Sequence, residues 1–532
     1  MTPSSLRSRP RRATPHLSAR VVHAVLGGAA GAVWLVLPGM TTNPGAPVAI
    51  SADRPVAVAP AQEDGETSAA DLVLPLVVAG AAAAAAGYGY VRRARRLRTR
   101  TTPGGAPVRP AGPPPDARDA LSELDARARA LLTEADDCVR TSREELGFAE
   151  ARFGAAEVAP FARALREAEA ELAAAFRMRQ QYDEEVPRDD SARRQTLAGI
   201  VGRCQEAGRL LDAEAAGFDR LRGLEREREL GEALVVAENL FRDLTARTVR
   251  ARSQLADLRA RHPAYATAQV TGHAEQAEDR LLFATSRLNR ARRRVDRGET
   301  HRAIGHLRAA EGAIAQAAVF VTGIDRLAAE LATAAGMVPA ALTGAEVEIA
   351  GVRERAAAAD RPDAVPAGEL RARILHADAV LAAVREEVTG GPYDPLDVLR
   401  RIVRAVLPVA DGRAGVLPAA ARLVARSATA DAADYVTTHR GVVGSAARTR
   451  LAEAVRLLGS DARAEQPARR ARELAEQDVR VHGTPLGTVA GHESGAGGAL
   501  LGGILLGGTP AGGPPASFGG PRTRARRGAT SP

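Results

Sequence analysis

His301 and His306 are the closest pair among ten histidines. Five residues turn an α-helix through about 500°, so these rings do not share a face as an i, i+4 metal-binding pair does. No HExxH, GxSxG or GxGxxG motif occurs in the context its chemistry requires. All 73 basic residues are arginine, and lysine is absent. A Walker A loop needs its lysine on the β/γ-phosphates and a Schiff-base enzyme needs an amine, so standard P-loop NTPases, protein kinases and pyridoxal enzymes are set aside. Carboxylates abound, as in Asp136-Asp137, Asp183-Glu184-Glu185 and Asp189-Asp190. They read as solvated faces of amphipathic helices and as helix-end charges. The sequence thus nominates no catalytic, cofactor-binding or metal-ligating residue, and the expectation is a protein that is not an enzyme and uses no cofactor.

The two cysteines are too sparse for a disulfide framework and too far apart for a CxxC motif. Cys138 ends the row Leu121, Leu124, Ala128, Leu131, Ala135, and Cys204 opens the row Ala207, Leu211, Ala215, Phe218. Both read as small apolar residues on buried helix seams. Aromatic residues make up only 3% of the chain while Ala, Leu, Arg and Glu dominate, which favours helices packed through small side chains over sandwiches, barrels or a doubly wound sheet.

The net charge of +9 is concentrated in three flanks. Residues 1–20 hold five arginines, residues 92–100 hold six and residues 521–532 hold four, leaving the remainder net negative. That distribution suits anionic headgroups and topology control better than a nucleic-acid face, so no nucleic-acid partner is expected. Residues 1–37 form a basic n-region with a mostly apolar run, Val21–Leu37, readable as a signal sequence or as an uncleaved signal anchor. Residues 38–71 form a short external loop. Residues 72–91 are twenty residues without a charge, enough to cross a hydrocarbon core of roughly 30 Å. Arg92, Arg93, Arg95, Arg96 and Arg98 follow at once and set the topology, with everything after them cytoplasmic by the positive-inside rule. The expected location is the cell membrane, single- or double-pass.

Residues 92–115 form a basic, Pro-rich linker. Helical periodicity then runs from 116 to about 480, divided into a coiled-coil-like region at 116–340 and a second helical region at 341–480. Predicted helices cover 116–153, 157–186, 189–260, 266–298, 300–336, 341–360, 367–389, 394–427, 429–439 and 445–478, the last as a hairpin. Ala274–Ala318 and Arg448–Gln477 read as antiparallel hairpins whose alanines permit close approach. Residues 481–532, rich in Gly, Pro and Arg, read as a disordered tail. The expected fold is all-α: one or two transmembrane helices, then an elongated bundle of long coiled-coil-like helices and hairpins.

Five segments and the glycine-rich tail carry a family resemblance: Val139–Ala149 (VRTSREELGFA), Ala175–Gln181 (AFRMRQQ), Phe218–Arg222 (FDRLR), Pro392–Leu396 (PYDPL) and Asp434–Gly441 (DYVTTHRG). With them the chain resembles the TPM-domain membrane proteins of actinobacteria over residues 70–530. The resemblance implies a signal sequence, an external TPM domain, one membrane span, a cytoplasmic helical region and a glycine-rich tail. The TPM domain is a small α/β unit linked in some relatives to acid-phosphatase activity, and residues 38–71 are too few to hold it. The chain therefore looks like a family member without that domain, and no phosphatase residue carries over. The expected function is a membrane-anchored, non-enzymatic helical scaffold or protein-interaction protein of the cell envelope. Its partners would be the membrane, a cytoplasmic protein and further copies of itself through its helices. The alternative is a degenerate phosphatase-related protein that works with a partner.

Overall fold

Alanine and arginine, both strong helix formers, fill the segments between glycines and prolines, and the protein is all-α as the sequence predicts. The structure, a computed structural model, describes residues 117–357, 367–410, 412, 414–458, 462–482, 495–505, 515 and 517–529. The chain divides into two compact units, Met1–Arg109 and Pro110–Pro532, and every described residue belongs to the second. The expected signal segment, external loop, span at 72–91 and linker, with Arg92, Arg93, Arg95, Arg96 and Arg98, lie outside the described residues.

Three long helices come first: α1 (Ala117–Phe153), α2 (Ala155–Glu184) and α3 (Asp190–Arg222). Asp189 caps α3 by accepting from the Ala192 N–H at 2.9 Å, and Gly223 ends it in the left-handed conformation at φ 55°. That glycine divides the helix predicted at 189–260 into α3 and α4 (Glu227–Arg261). The cysteine seams hold as expected. Cys138 and Cys204 are both buried in a core shared by α1, α2 and α3 with Leu132, Phe176, Leu197, Leu211 and Phe218. Burial pushes both thiols up to about 12, which removes them as nucleophiles at neutral pH.

After α4, a 3-10 turn (Ala264–Val270) leads to α5 (His273–Val295) and α6 (Thr300–Ala357). Helices α5 and α6 form the hairpin expected from Ala274–Ala318, with small residues Ala277, Ala284, Ala303, Ala310 and Ala317 buried along it. Helix α6 is continuous for 58 residues, so residue 340, the expected division, falls inside it. Pro339 lies inside this helix on its exposed side, while Ala334, Val338, Ala341 and Ala345 stay buried. Among the described residues α6 is the one helix long and apolar enough to cross a membrane. Here it is the spine of the bundle, packed against α4, α5 and the later helices α8 (Pro395–Val406) and α9 (Leu417–Thr438).

Helix α7 (Ala367–Gly390) lies beside α8. The PYDPL segment is the start of α8: Asp394 accepts from the Leu396 and Asp397 N–H groups at 2.9 and 3.2 Å, and Pro395 takes the first helical position. The predicted helix at 394–427 is broken between α8 and α9. The hairpin expected near 445–478 is α10 (Ser445–Leu458) and α11 (Glu465–His482), joined by a 3-10 turn (Ala462–Ala464).

The tail departs from the expected disorder at residues 495–505 and 517–529. Helix α12 (Ala496–Leu501) and helix α13 (Pro521–Ala529) both lie on the body. Ile504, Leu505 and Phe518 are buried in it.

Candidate functional site

The apolar seam of α1 continues past Cys138 with Ser142, Glu145 and Ala149, all buried, and that of α3 continues past Phe218 with buried Arg222. Charged side chains thus occupy core positions, and a buried charge must find a partner or lose its ionisation. The partners come from distant parts of the chain. Arg222 donates to both carboxylate oxygens of Glu311 on α6, at 2.6 and 3.1 Å, and lies 3.7 Å from Glu145. Burial opposes the Arg222 charge, but Glu311 and Glu145 outweigh it and hold its pKa above the ordinary arginine value. Arg308 of α6 lies 3.4 Å from Glu145 and 3.5 Å from Asp219.

Beside this group, Arg440 donates bidentately to Glu144 at 2.8 and 2.9 Å. Arg448, only 1% exposed, donates to Asp136, Asp137 and the Arg440 carbonyl at 2.7, 2.7 and 2.6 Å. Burial disfavours the Asp136 carboxylate, yet Arg140 and Arg448 overcome this and hold its pKa below the usual value. Asp136 and Asp137 are therefore locks between α1 and α10, not the solvated face the sequence suggested. Asp189, by contrast, is a helix-end charge as expected. Arg179 of the AFRMRQQ segment ties α2 to Asp125 on α1 and to Asp183.

The tail closes over this layer. The Gly441 N–H donates to the Leu501 carbonyl at 2.7 Å, and Gln316 donates to the Gly502 carbonyl at 2.6 Å. A Cβ on Gly441 would lie 2.5 Å from the Leu500 carbonyl oxygen, so only glycine permits this approach. Arg440 and Glu144 border a cavity of about 20 Å³ with Glu145, Arg308, Glu311 and Ile504, room for one water-sized molecule. Further on, Phe518 enters a socket made by Phe161 and Phe218, edge-on to the first at 6.1 Å and stacked on the second at 4.3 Å. Asp212 of α3 accepts from the Gly520 and Thr523 N–H groups, each at 2.9 Å, and from the Thr523 hydroxyl at 2.6 Å. Ser142 accepts from the Gly519 N–H at 3.2 Å. Arg524 donates to the Asp137 carbonyl at 2.7 Å and Arg527 pairs with Asp219. Residues 495–505 and 517–529 form a strap, and Val139–Ala149, Phe218–Arg222 and Asp434–Gly441 form its bed.

A second polar cluster lies where α5, α6, α9 and α11 meet. Arg472 pairs with Asp431 at 2.9 Å and covers the Tyr435 ring at 3.9 Å, and Tyr435 stacks on His439 at 4.2 Å. Arg326 pairs with Asp434 at 2.8 Å, and His273 meets Phe320 edge-on at 5.1 Å. Burial raises Asp431 to about 6. Burial also lowers His273 and His439, each to about 4, helped at His273 by Arg472 and at His439 by Arg280.

The sequence reading marks the bed's segments as family signatures but gives their charged residues no contact with the tail. The signal for two of them is positional: Glu145 and Arg222 fall in register with apolar rows, where a charge has no place without a partner.

The fold and site together define an all-α bundle whose charged core grips a later stretch of its own backbone. No family model matches the chain, and no solved structure matches it. Two curated relatives do, both from Mycobacterium tuberculosis: UPF0603 protein MT2410 of strain CDC 1551 / Oshkosh and UPF0603 protein Rv2345 of strain ATCC 25618 / H37Rv. Each is 30% identical over 353 residues, covering 64% of this chain and 52% of the relative. The chain spans about half the length of the curated relatives it matches.

Proposed function

We propose that the chain is a membrane-anchored, non-enzymatic helical scaffold or protein-interaction protein of the cell envelope, its helical body facing the cytoplasm. The observation that carries this reading is the strap bed. Its charged residues hold helices and polypeptide backbone, with Asp212 alone accepting from four donors of one segment. A surface so built recognises polypeptide. The membrane part of the reading rests on the charge-free residues 72–91 and the arginines after them.

Cysteines placed singly at Ala61 and Thr102, with Cys138 and Cys204 replaced, test the topology in intact cells. Labelling at 61 alone supports the reading, and labelling at 102 reverses it. Recovery of the chain in the soluble fraction would remove the anchor. Turnover of a phosphate monoester by the purified chain would favour instead the phosphatase-related alternative, in which a partner supplies the TPM domain.

A further inference from the structure

Residues 517–529 take their recorded contacts from one part of the body. Their recorded hydrogen bonds and aromatic contacts reach Asp137 and Ser142 on α1, Phe161 on α2, and Asp212, Phe218 and Asp219 on α3. The seat combines an aromatic socket with a carboxylate that caps a helix start and with oxygen acceptors spaced for arginines. Gly208 completes it, because a Cβ on Gly520 would lie 2.1 Å from its carbonyl oxygen. It therefore fits a peptide of definite chemistry: Phe-Gly-Gly-Pro-Arg-Thr, followed by Arg524, Arg526 and Arg527.

The proximal half of the strap, residues 495–505, is held elsewhere, on Gln316 of α6 and Gly441 after α9. The two halves are separated by residues 506–516, of which Leu506 is the one large side chain. A backbone bridge between Leu505 and Pro515 draws them together. Opening that bridge leaves eleven residues, a reach of up to about 40 Å, with the proximal half still hooked.

From this we infer that the seat is an interaction surface for a second copy of the chain, whose residues 517–529 dock there in exchange for the resident segment. This deepens the protein-interaction reading by naming the partner, and it rests on that reading only for the role of the body. Exchange replaces each contact with an identical one, the condition under which element swapping is a low-cost route to dimers. The tethered resident competes at an effective concentration of roughly 1 mM, so exchange belongs to crowded chains and not to dilute ones.

Two differently tagged full-length populations test it. Asp212→Ala spoils the seat and keeps the strap, whereas Phe518→Ala spoils the strap and keeps the seat. The expected result is that the two variants co-purify when mixed, while neither pairs with a differently tagged copy of itself. If the Asp212→Ala strap is cut by trypsin at Arg522–Arg527 and the variants still do not co-purify, the inference is overturned. Should either variant fail to fold, a fluorescent peptide of residues 515–529 is titrated onto the wild-type full chain. Saturable binding with a midpoint near 1 mM, lost on scrambling the peptide, supports exchange, and absence of binding at several times that concentration refutes it. Failure here with membrane fractionation intact would leave the anchor reading standing and remove the second copy as partner.

Discussion

Phe518 lies on Phe218 with ring centroids 4.3 Å apart and planes inclined by 16°. The contact joins the last described helical segment of the chain to the end of α3, and Phe161 closes it edge-on. Phe518 is fully buried there, so the strap is fastened by core packing as well as by hydrogen bonds.

Truncating that ring should release the segment. Phe518→Ala is expected to cost about 3–5 kcal/mol of local stability, the range for a phenylalanine removed from a packed core. The loss should appear as rapid tryptic cleavage at Arg522–Arg527 while the main thermal transition shifts little. Cleavage no faster than in wild type would show that the socket does not hold the strap.

Asp212, from α3, accepts from the backbone N–H groups at the start of α13. Asp212→Ala should cost about 1–2 kcal/mol, because it leaves three backbone donors and a hydroxyl without their acceptor. Hydrogen exchange at the Gly520 and Thr523 amides should accelerate by at least tenfold, with amides in the middle of α6 unchanged.

Among the described residues, Arg448 is the least exposed arginine, at 1%. Arg448→Met removes the partner of a buried Asp136 carboxylate and should destabilise the body by about 3–5 kcal/mol. Adding Asp136→Asn should recover part of that loss, since Arg140 alone would be left to offset the burial of the Asp136 carboxylate. Denaturant melts of the two single variants and the double would read this as a coupling energy.

The cluster at His273, His439 and Asp431 makes stability depend on pH. Each histidine drops from an ordinary 6.5 to about 4 on folding, so between those values the unfolded chain binds protons that the folded chain does not. Stability contributed by the two rings therefore rises with pH across that window. Asp431 opposes it: raised from 3.8 to about 6, it binds its proton in the folded state and subtracts stability as pH rises from 4 to 6. Asp434, also raised by burial, opposes the rings in the same sense, so the gain from the two rings is partly offset as pH rises from 4 to 6. Asp431→Asn should make that gain steeper, which melts at pH 4.5 and 6.5 would show.

Helices were legible where periodicity met a cap or a stop. The seam through Ala128, Ala135 and Cys138 is buried as read, and the α5–α6 and α10–α11 hairpins are where the alanine rows place them. The single-residue stop at Gly223 was not, because one glycine in a long amphipathic row reads equally as a helix interior until its φ is known. The strap was illegible for a related reason. Glycine-rich composition describes a chain that stays in water equally well as one whose backbone must touch another backbone, as Gly441 touches Leu500. Likewise the charges at Asp136 and Glu145 resemble a wet helix face until Arg448, Arg222 and Arg308 are folded against them.

The order of the strap and its bed along the chain also governs how the molecule is made. Helices α1–α3 leave the ribosome well before the residues that complete them, carrying a bare aromatic socket and carboxylates whose arginine partners, Arg440 and Arg448, are still unsynthesised. Residues 517–529 come later still. Those helices must wait with their charges hydrated, and the body closes only after Arg440, Arg448 and the strap have followed, the situation in which nascent chains lean on chaperones. Until residues 517–529 dock, the socket of Phe161 and Phe218 stands open to water, so the three-helix core is sealed by a segment made some three hundred residues after it.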